Sequence, residues 1–140
     1  MPLDSQNSDR DISEKLRRQK RESEQILKLA LTIKTSDKPV VATDTSDMIL
    51  FMSEAALKLY GYKSLEIIGQ PVAMLRAGDR DSEAVKNLLE ETMQGGWKGE
   101  LWQKRKDGSE FKISMSSSPV RDEETNAIIG LVGTFEEIPA

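Results

Sequence analysis

The chain has 140 residues and a mass of 15.7 kDa, enough for one domain with a modest core plus an appendage. With 37% hydrophobic and 31% charged residues and a mean hydropathy of -0.51, it is polar enough that part of it is expected to be a solvated segment. A net charge of -4 excludes a global positive field for nucleic acid or acidic membranes, and the absence of Cys and His excludes disulfides, thiolate chemistry, His-based triads and His-ligated zinc or haem.

The start, MPLDSQNSDR, is polar and unlike a signal, and no apolar run reaches the roughly 18 residues of a membrane span. A cytoplasmic protein without membrane insertion is expected. From Ser8 to Thr35 there is no Pro or Gly, and Asp9 or Asp11 can cap a helix there. One stripe, Ile12, Leu16, Gln19, Ser23, Ile26, Ala30 and Ile33, advances by alternating four and three residues, a coiled-coil register with a polar centre. Two readings stand: a dimeric coil with Ile12, Leu16, Ile26, Ala30 and Ile33 at the seam, or a single amphipathic helix folded back on the domain. The charged flanks in RRQKRESE fit solvated positions.

SDKP at 36–39 ends the helix, because the residue before a proline avoids the helical region. VVATD and MILFM then read as a hairpin around Asp44 to Asp47, with Asp47 at a positive φ. Ser53 caps a helix through Tyr60 that Gly61 closes, and Ser64 to Ile68 is a further helical turn. After an irregular segment at 70–81, a helix starting near Ser82 presents Val85, Leu88, Leu89 and Met93 on one face and stops at Gly95-Gly96. Three strands follow, Trp97 to Lys106, Ser109 to Arg121 and Ala127 to Ile138, the first two joined by Asp107-Gly108 as a two-residue type I′ turn. Asn126 falls where the last turn wants a left-handed residue. The order predicts an α+β domain: one five-stranded antiparallel sheet with helices on one face, preceded by the long helix.

These residues resemble the PAS family of signalling domains over about Lys38 to Ile138. The family's opening pattern stands here as Asp44, Asp47, Ile49, Ser53 and Ala55; GYKSLEIIGQP, WKGELWQKRKDGSEF and SSPVRDEETNAIIGLVGTFEEI follow in order. The resemblance implies residues 1–36 as a tail and coiled-coil-like helix, and 37–140 as a PAS domain. It further implies a sensor or signal-relay module that forms a homodimer and passes a signal to a histidine kinase of a two-component system, a cyclase or a transcription output. FEEIPA is similar to the strand exit into an output helix, and any output domain is expected outside this chain or not at all.

Within the family, haem is mostly held by His and a coumaroyl chromophore by Cys, and neither residue occurs here. The light-oxygen-voltage motif aligns on Gly69 to Leu75, placing Val72 at the photoreactive cysteine, so covalent flavin photochemistry is excluded. Of three amide positions such domains offer a flavin, Gln103 keeps one, and Ile113 and Val132 stand at the others. The inner space is expected to be lined by Val72, Met74, Leu88, Leu101, Ile113, Met115 and Val132, with Gln103 as the polar anchor. Whether Leu101 and Gln103 or Trp102 and Lys104 face inward is open. No cofactor is expected; a non-covalent flavin or small metabolite is the alternative.

Other constellations read as surface. Adjacent acids such as Glu90-Glu91 point apart and lack a cation-loop spacing, and Ser116 to Ser118 have no base. Lys104-Arg105-Lys106 beside Trp97 and Trp102 abuts a tight turn in an acidic chain, so hairpin solubility explains it better than single-strand binding. Neither catalysis, a metal site nor nucleic-acid binding is expected.

Overall fold

The computed structural model describes residues 2–33 and 38–139, with side chains of the first helix from residue 9 onward. The elements are α1 (Pro2–Ile33), β1 (Val40–Asp44), β2 (Ile49–Met52), α2 (Glu54–Tyr60), α3 (Ser64–Ile67), a 3-10 turn (Val72–Leu75), α4 (Ser82–Gln94), β3 (Trp97–Lys104), β4 (Glu110–Arg121) and β5 (Ile128–Glu137). The strands form one five-stranded antiparallel sheet in the order β2-β1-β5-β4-β3.

Short polar side chains set the local turns. The Asp44 carboxylate accepts from the N–H groups of Ser46 (2.8 Å) and Met48 (3.0 Å), and Asp47 takes the expected positive φ of 63°. The Ser53 hydroxyl accepts from Ala56 N–H at 3.3 Å, capping α2, and from Val40 N–H at 2.9 Å, tying the cap to β1.

The β3–β4 connection corrects the expected two-residue turn. Gly108 has φ 90°, but outside glycine only Asp47 and Asn126 have positive φ among the described residues, so Asp107 does not meet the type I′ requirement. Gly108 N–H donates to Arg105 C=O at 2.9 Å and Arg105 N–H to Ser109 C=O at 2.8 Å, which makes a three-residue loop with a glycine bulge. Lys106 N–H donates to Tyr60 C=O at 2.9 Å and the Arg105 guanidinium to Leu59 C=O at 3.2 Å, so the wider loop reaches the carbonyl end of α2.

Side-chain alternation splits the core into two layers. The inner face packs against α2, α3, the 3-10 turn and α4, around Val41, Tyr60, Ile67, Leu75, Leu88, Trp97 and Phe135. On α4 the expected stripe turns slightly: Met93 is exposed and Thr92 is buried instead, because the Thr92 and Ser117 hydroxyls are 2.6 Å apart. Two hydroxyls that satisfy each other remove the usual cost of burying Thr against a sheet.

The outer face carries α1. Ile26 and Ala30, both 0% exposed, pack on Val40, Ala42, Val120, Ile129 and Val132. Gly130 permits this approach: a Cβ there would lie 2.2 Å from Thr43 O and 2.8 Å from Ile26 Cδ1. Ile26, Ala30 and half-buried Ile33 are therefore covered by their own sheet rather than presented along a seam with Ile12 and Leu16. The helix also begins earlier than expected, so Asp9 and Asp11 lie inside it. Its expected end at Thr35 lies outside the described residues.

A buried carboxylate fixes the helix laterally. Asp122, 3% exposed, accepts from the N–H groups of Glu124 (2.8 Å) and Thr125 (3.1 Å) and from the side chains of Arg21 (3.0 Å) and Gln25 (3.3 Å). Gln25 closes the loop by accepting from Glu123 N–H at 2.8 Å. The Thr125 and Glu124 amides, with Gln25 and Arg21, hold the Asp122 carboxyl well below the usual carboxylate range. As pH falls below the ordinary Asp value of about 4, the unfolded chain binds a proton that the folded chain refuses. Stability present at neutral pH is thus expected to decline on acidification, and Asp122→Asn should flatten that decline without abolishing it, since Glu66 and Asp107 are also held low. Urea unfolding at pH 7 and pH 4 checks this; equal pH dependence in both proteins would refute it.

Candidate functional site

Between the inner face of the sheet and the wall formed by α4 and the 3-10 turn lies a cavity of about 40 Å³. Val41 and Thr43 reach it from β1, Leu101 and Gln103 from β3, Met115 from β4, and Leu131 and Phe135 from β5. Tyr60, Val72, Leu75, Arg76, Leu88 and Leu89 close the helical side, and Asp47 stands at the β1–β2 turn. A single water needs roughly 10–15 Å³ and a drug-sized ligand roughly 300 Å³ or more, so the space admits only a few heavy atoms.

Its polar groups divide into satisfied and unsatisfied. The Tyr60 hydroxyl donates to Gln103 Oε1 at 2.7 Å, and Gln103 Nε2 donates to Trp102 C=O at 2.9 Å. Burial pushes the Tyr60 phenol up, keeping it a neutral donor. The Tyr60 ring meets Phe111 and Phe135 edge-on, with centroids 5.2 Å and 5.8 Å away. By contrast Thr43, 1% exposed, has a hydroxyl with no hydrogen-bond partner among the described residues.

Arg76 is half-buried where the 3-10 turn ends, and its backbone bridges to Gln103 beside β3. Burial lowers its pKa and the charge of Asp47 opposes that shift, yet the guanidinium forms no hydrogen bond or ion pair with a side chain among the described residues.

The expected lining residues separate accordingly. Val72, Leu88, Leu101, Gln103 and Met115 meet at the cavity, which resolves the β3 ambiguity in favour of Leu101 and Gln103 facing inward. Met74 and Ile113 pack in the inner core without reaching the cavity. Val132 is corrected: strand alternation turns it outward against α1, and its neighbours Leu131 and Phe135 face the cavity. Thr43, Tyr60, Arg76 and Phe135 were not legible as site residues. A Thr on an inward strand position was the available signal for one of them; Arg76 sat in a segment without periodicity.

The basic hairpin arm is engaged within the domain. Trp97 is buried, and Arg80 lies 3.8 Å over the Trp102 ring with Lys112 at 5.8 Å. Lys106 pairs with Glu66, and Arg105 with Glu137 at 2.5 Å. Among the described residues no cluster of acidic side chains suits a metal ion, and no helix is long and apolar enough to cross a membrane.

A five-stranded sheet of this order, with short helices over one face and a small inner cavity between the layers, defines an α+β module. The PAS domain family model matches residues 37–139, and the chain belongs to that family. It is 28% identical over 98 residues to phototropin-2 of Oryza sativa subsp. japonica, covering 69% of this chain and 11% of that protein. The match thus spans about a tenth of the relative's length. The PAS domain of a Colwellia psychrerythraea protein superposes with a TM-score of 0.70 at 27% identity, covering 79% of this chain and 94% of that one. A light-oxygen-voltage domain studied with a flavin analogue gives a TM-score of 0.70 at 26% identity, covering 80% and 85%. The chain is accordingly a PAS sensory domain related to light-oxygen-voltage photoreceptor domains, a kind of module that generally senses rather than catalyses.

Proposed function

We propose that this PAS domain is a cytoplasmic signal-relay module that pairs through the N-terminal half of α1 and passes its signal to an output partner such as a histidine kinase, a cyclase or a transcription factor. The observation that carries this reading is the division of α1. Ile26 and Ala30 are fully covered by the sheet, whereas Ile12 and Leu16, four residues apart on one face, are 57% and 60% exposed. A second copy offering the same face would bury both through symmetric contact.

Light scattering tests it. The full chain is expected to be a dimer, and Ile12→Lys with Leu16→Lys a monomer that still unfolds in one cooperative transition. Equal masses for both proteins at high concentration would overturn the pairing. The relay reading is tested by fusing the chain to a heterologous kinase and comparing its activity with and without the double substitution.

A second reading, that the stimulus is a small ligand in the inner cavity, is favoured by the partnerless Thr43 hydroxyl. The residues present do not fit a flavin. Val72 offers no thiol, the Gln103 amide is committed to Tyr60 and Trp102, and about 40 Å³ is far below the volume of the ring system. A colourless preparation is expected; a visible absorption band would contradict it.

A further inference from the structure

We infer that the inner cavity takes a small monocarboxylate of one or two carbons, with its carboxylate on the Arg76 guanidinium and an oxygen accepting from the Thr43 hydroxyl. This rests on the reading of the cavity as a ligand pocket and adds the chemical class. Three observations converge. Arg76 presents a half-buried fork of donors that no side chain among the described residues occupies, and such forks match carboxylates. Thr43 leaves a hydroxyl on the same cavity without a partner, at 1% exposure, where an unmade hydrogen bond is costly. Val72, Leu88 and Met115 supply an apolar lining for a methyl group.

The remaining polar groups narrow the choice. Tyr60 and Gln103 satisfy each other and need no ligand. Asp47 lies on the same cavity and balances the charge of Arg76, so a second negative charge on the ligand would meet repulsion, favouring a monoanion. A cavity of about 40 Å³ sets the short chain length.

Titration of the full chain with formate and acetate, followed by backbone amide shifts, tests this against the neutral amide acetamide. Saturable shifts at residues 43 and 76 are expected for an acid and not for the amide. Arg76→Gln should weaken acid binding by about 10- to 100-fold, and Arg76→Lys, which keeps the charge but loses the fork, should weaken it less. Should Arg76→Gln fail to fold, Thr43→Val serves as the second variant, with a several-fold loss expected. Equal binding of acid and amide, or acid binding unaffected by Arg76→Gln, overturns the carboxylate assignment while leaving the ligand pocket intact. No saturable shift with any probe overturns both.

Discussion

Ile26→Ala is expected to lower the unfolding free energy by about 2–5 kcal/mol, the usual cost of deleting a fully buried branched side chain. Ile26 is 0% exposed and sits where α1 crosses the outer face, with Val40, Ala42 and Val132 around it. The space it leaves cannot easily collapse, because the Asp122 contacts to Arg21 and Gln25 hold the helix in place. Urea denaturation measures the loss, and Leu31→Ala, on the same helix but outside the proposed seam, provides the contrast: at 57% exposure it should change stability by less than about 0.5 kcal/mol. A loss below that value for Ile26→Ala as well would mean that the helix does not rest on the sheet in solution.

Truncating Phe135 to alanine should cost about 3–5 kcal/mol and at the same time enlarge the inner cavity. The ring is 2% exposed, lies edge-on to Tyr60 at 5.8 Å and borders the space directly. Its removal merges the ring's volume with the existing cavity of about 40 Å³ beside Leu101, Met115 and Leu131. Dry apolar cavities near 150 Å³ accept benzene or xenon. The variant is therefore expected to bind benzene and to regain part of its lost unfolding midpoint in its presence, while the unaltered protein binds none. A variant that loses stability but shows no benzene-dependent midpoint shift would indicate that the walls collapse into the gap.

The sequence carried the parts of this fold that local chemistry dictates. Asp47 and Asn126 adopt the left-handed conformations expected of them, Ser53 caps and Gly61 closes α2, and the strands lie within one or two residues of their apolar alternations. What escaped depended on contacts distant in the chain. The Asp107-Gly108 turn widened because the α2 carbonyls at Leu59 and Tyr60 recruit Arg105 and Lys106. Met93 yielded its buried place to Thr92 through a hydroxyl on β4.

Of the two readings of α1, the helix folded back on the domain describes its C-terminal half, a limit that periodicity does not mark because the four-three spacing runs unbroken from Ile12 to Ile33. Arg21 read as a solvated charge, and nothing local pointed to Gln25 or Asp122 as its partners, since a pairing across 101 positions leaves no local trace. Gly130, a glycine inside a strand, was the one written hint that another backbone or helix comes close there. Val132 was misplaced by one position, and in a strand a shift of one transfers a side chain to the opposite face.

The alternation along β1 joins the two halves of the molecule with no intervening machinery. Val41 and Thr43 look into the cavity, while Val40 and Ala42, their immediate neighbours, carry α1. The partition between pocket and helix is thus one peptide thick, and any occupant that displaces Thr43 moves the strand on which Ile26 and Ala30 rest. Under the proposed function, sensing and transmission would use the two sides of this one backbone.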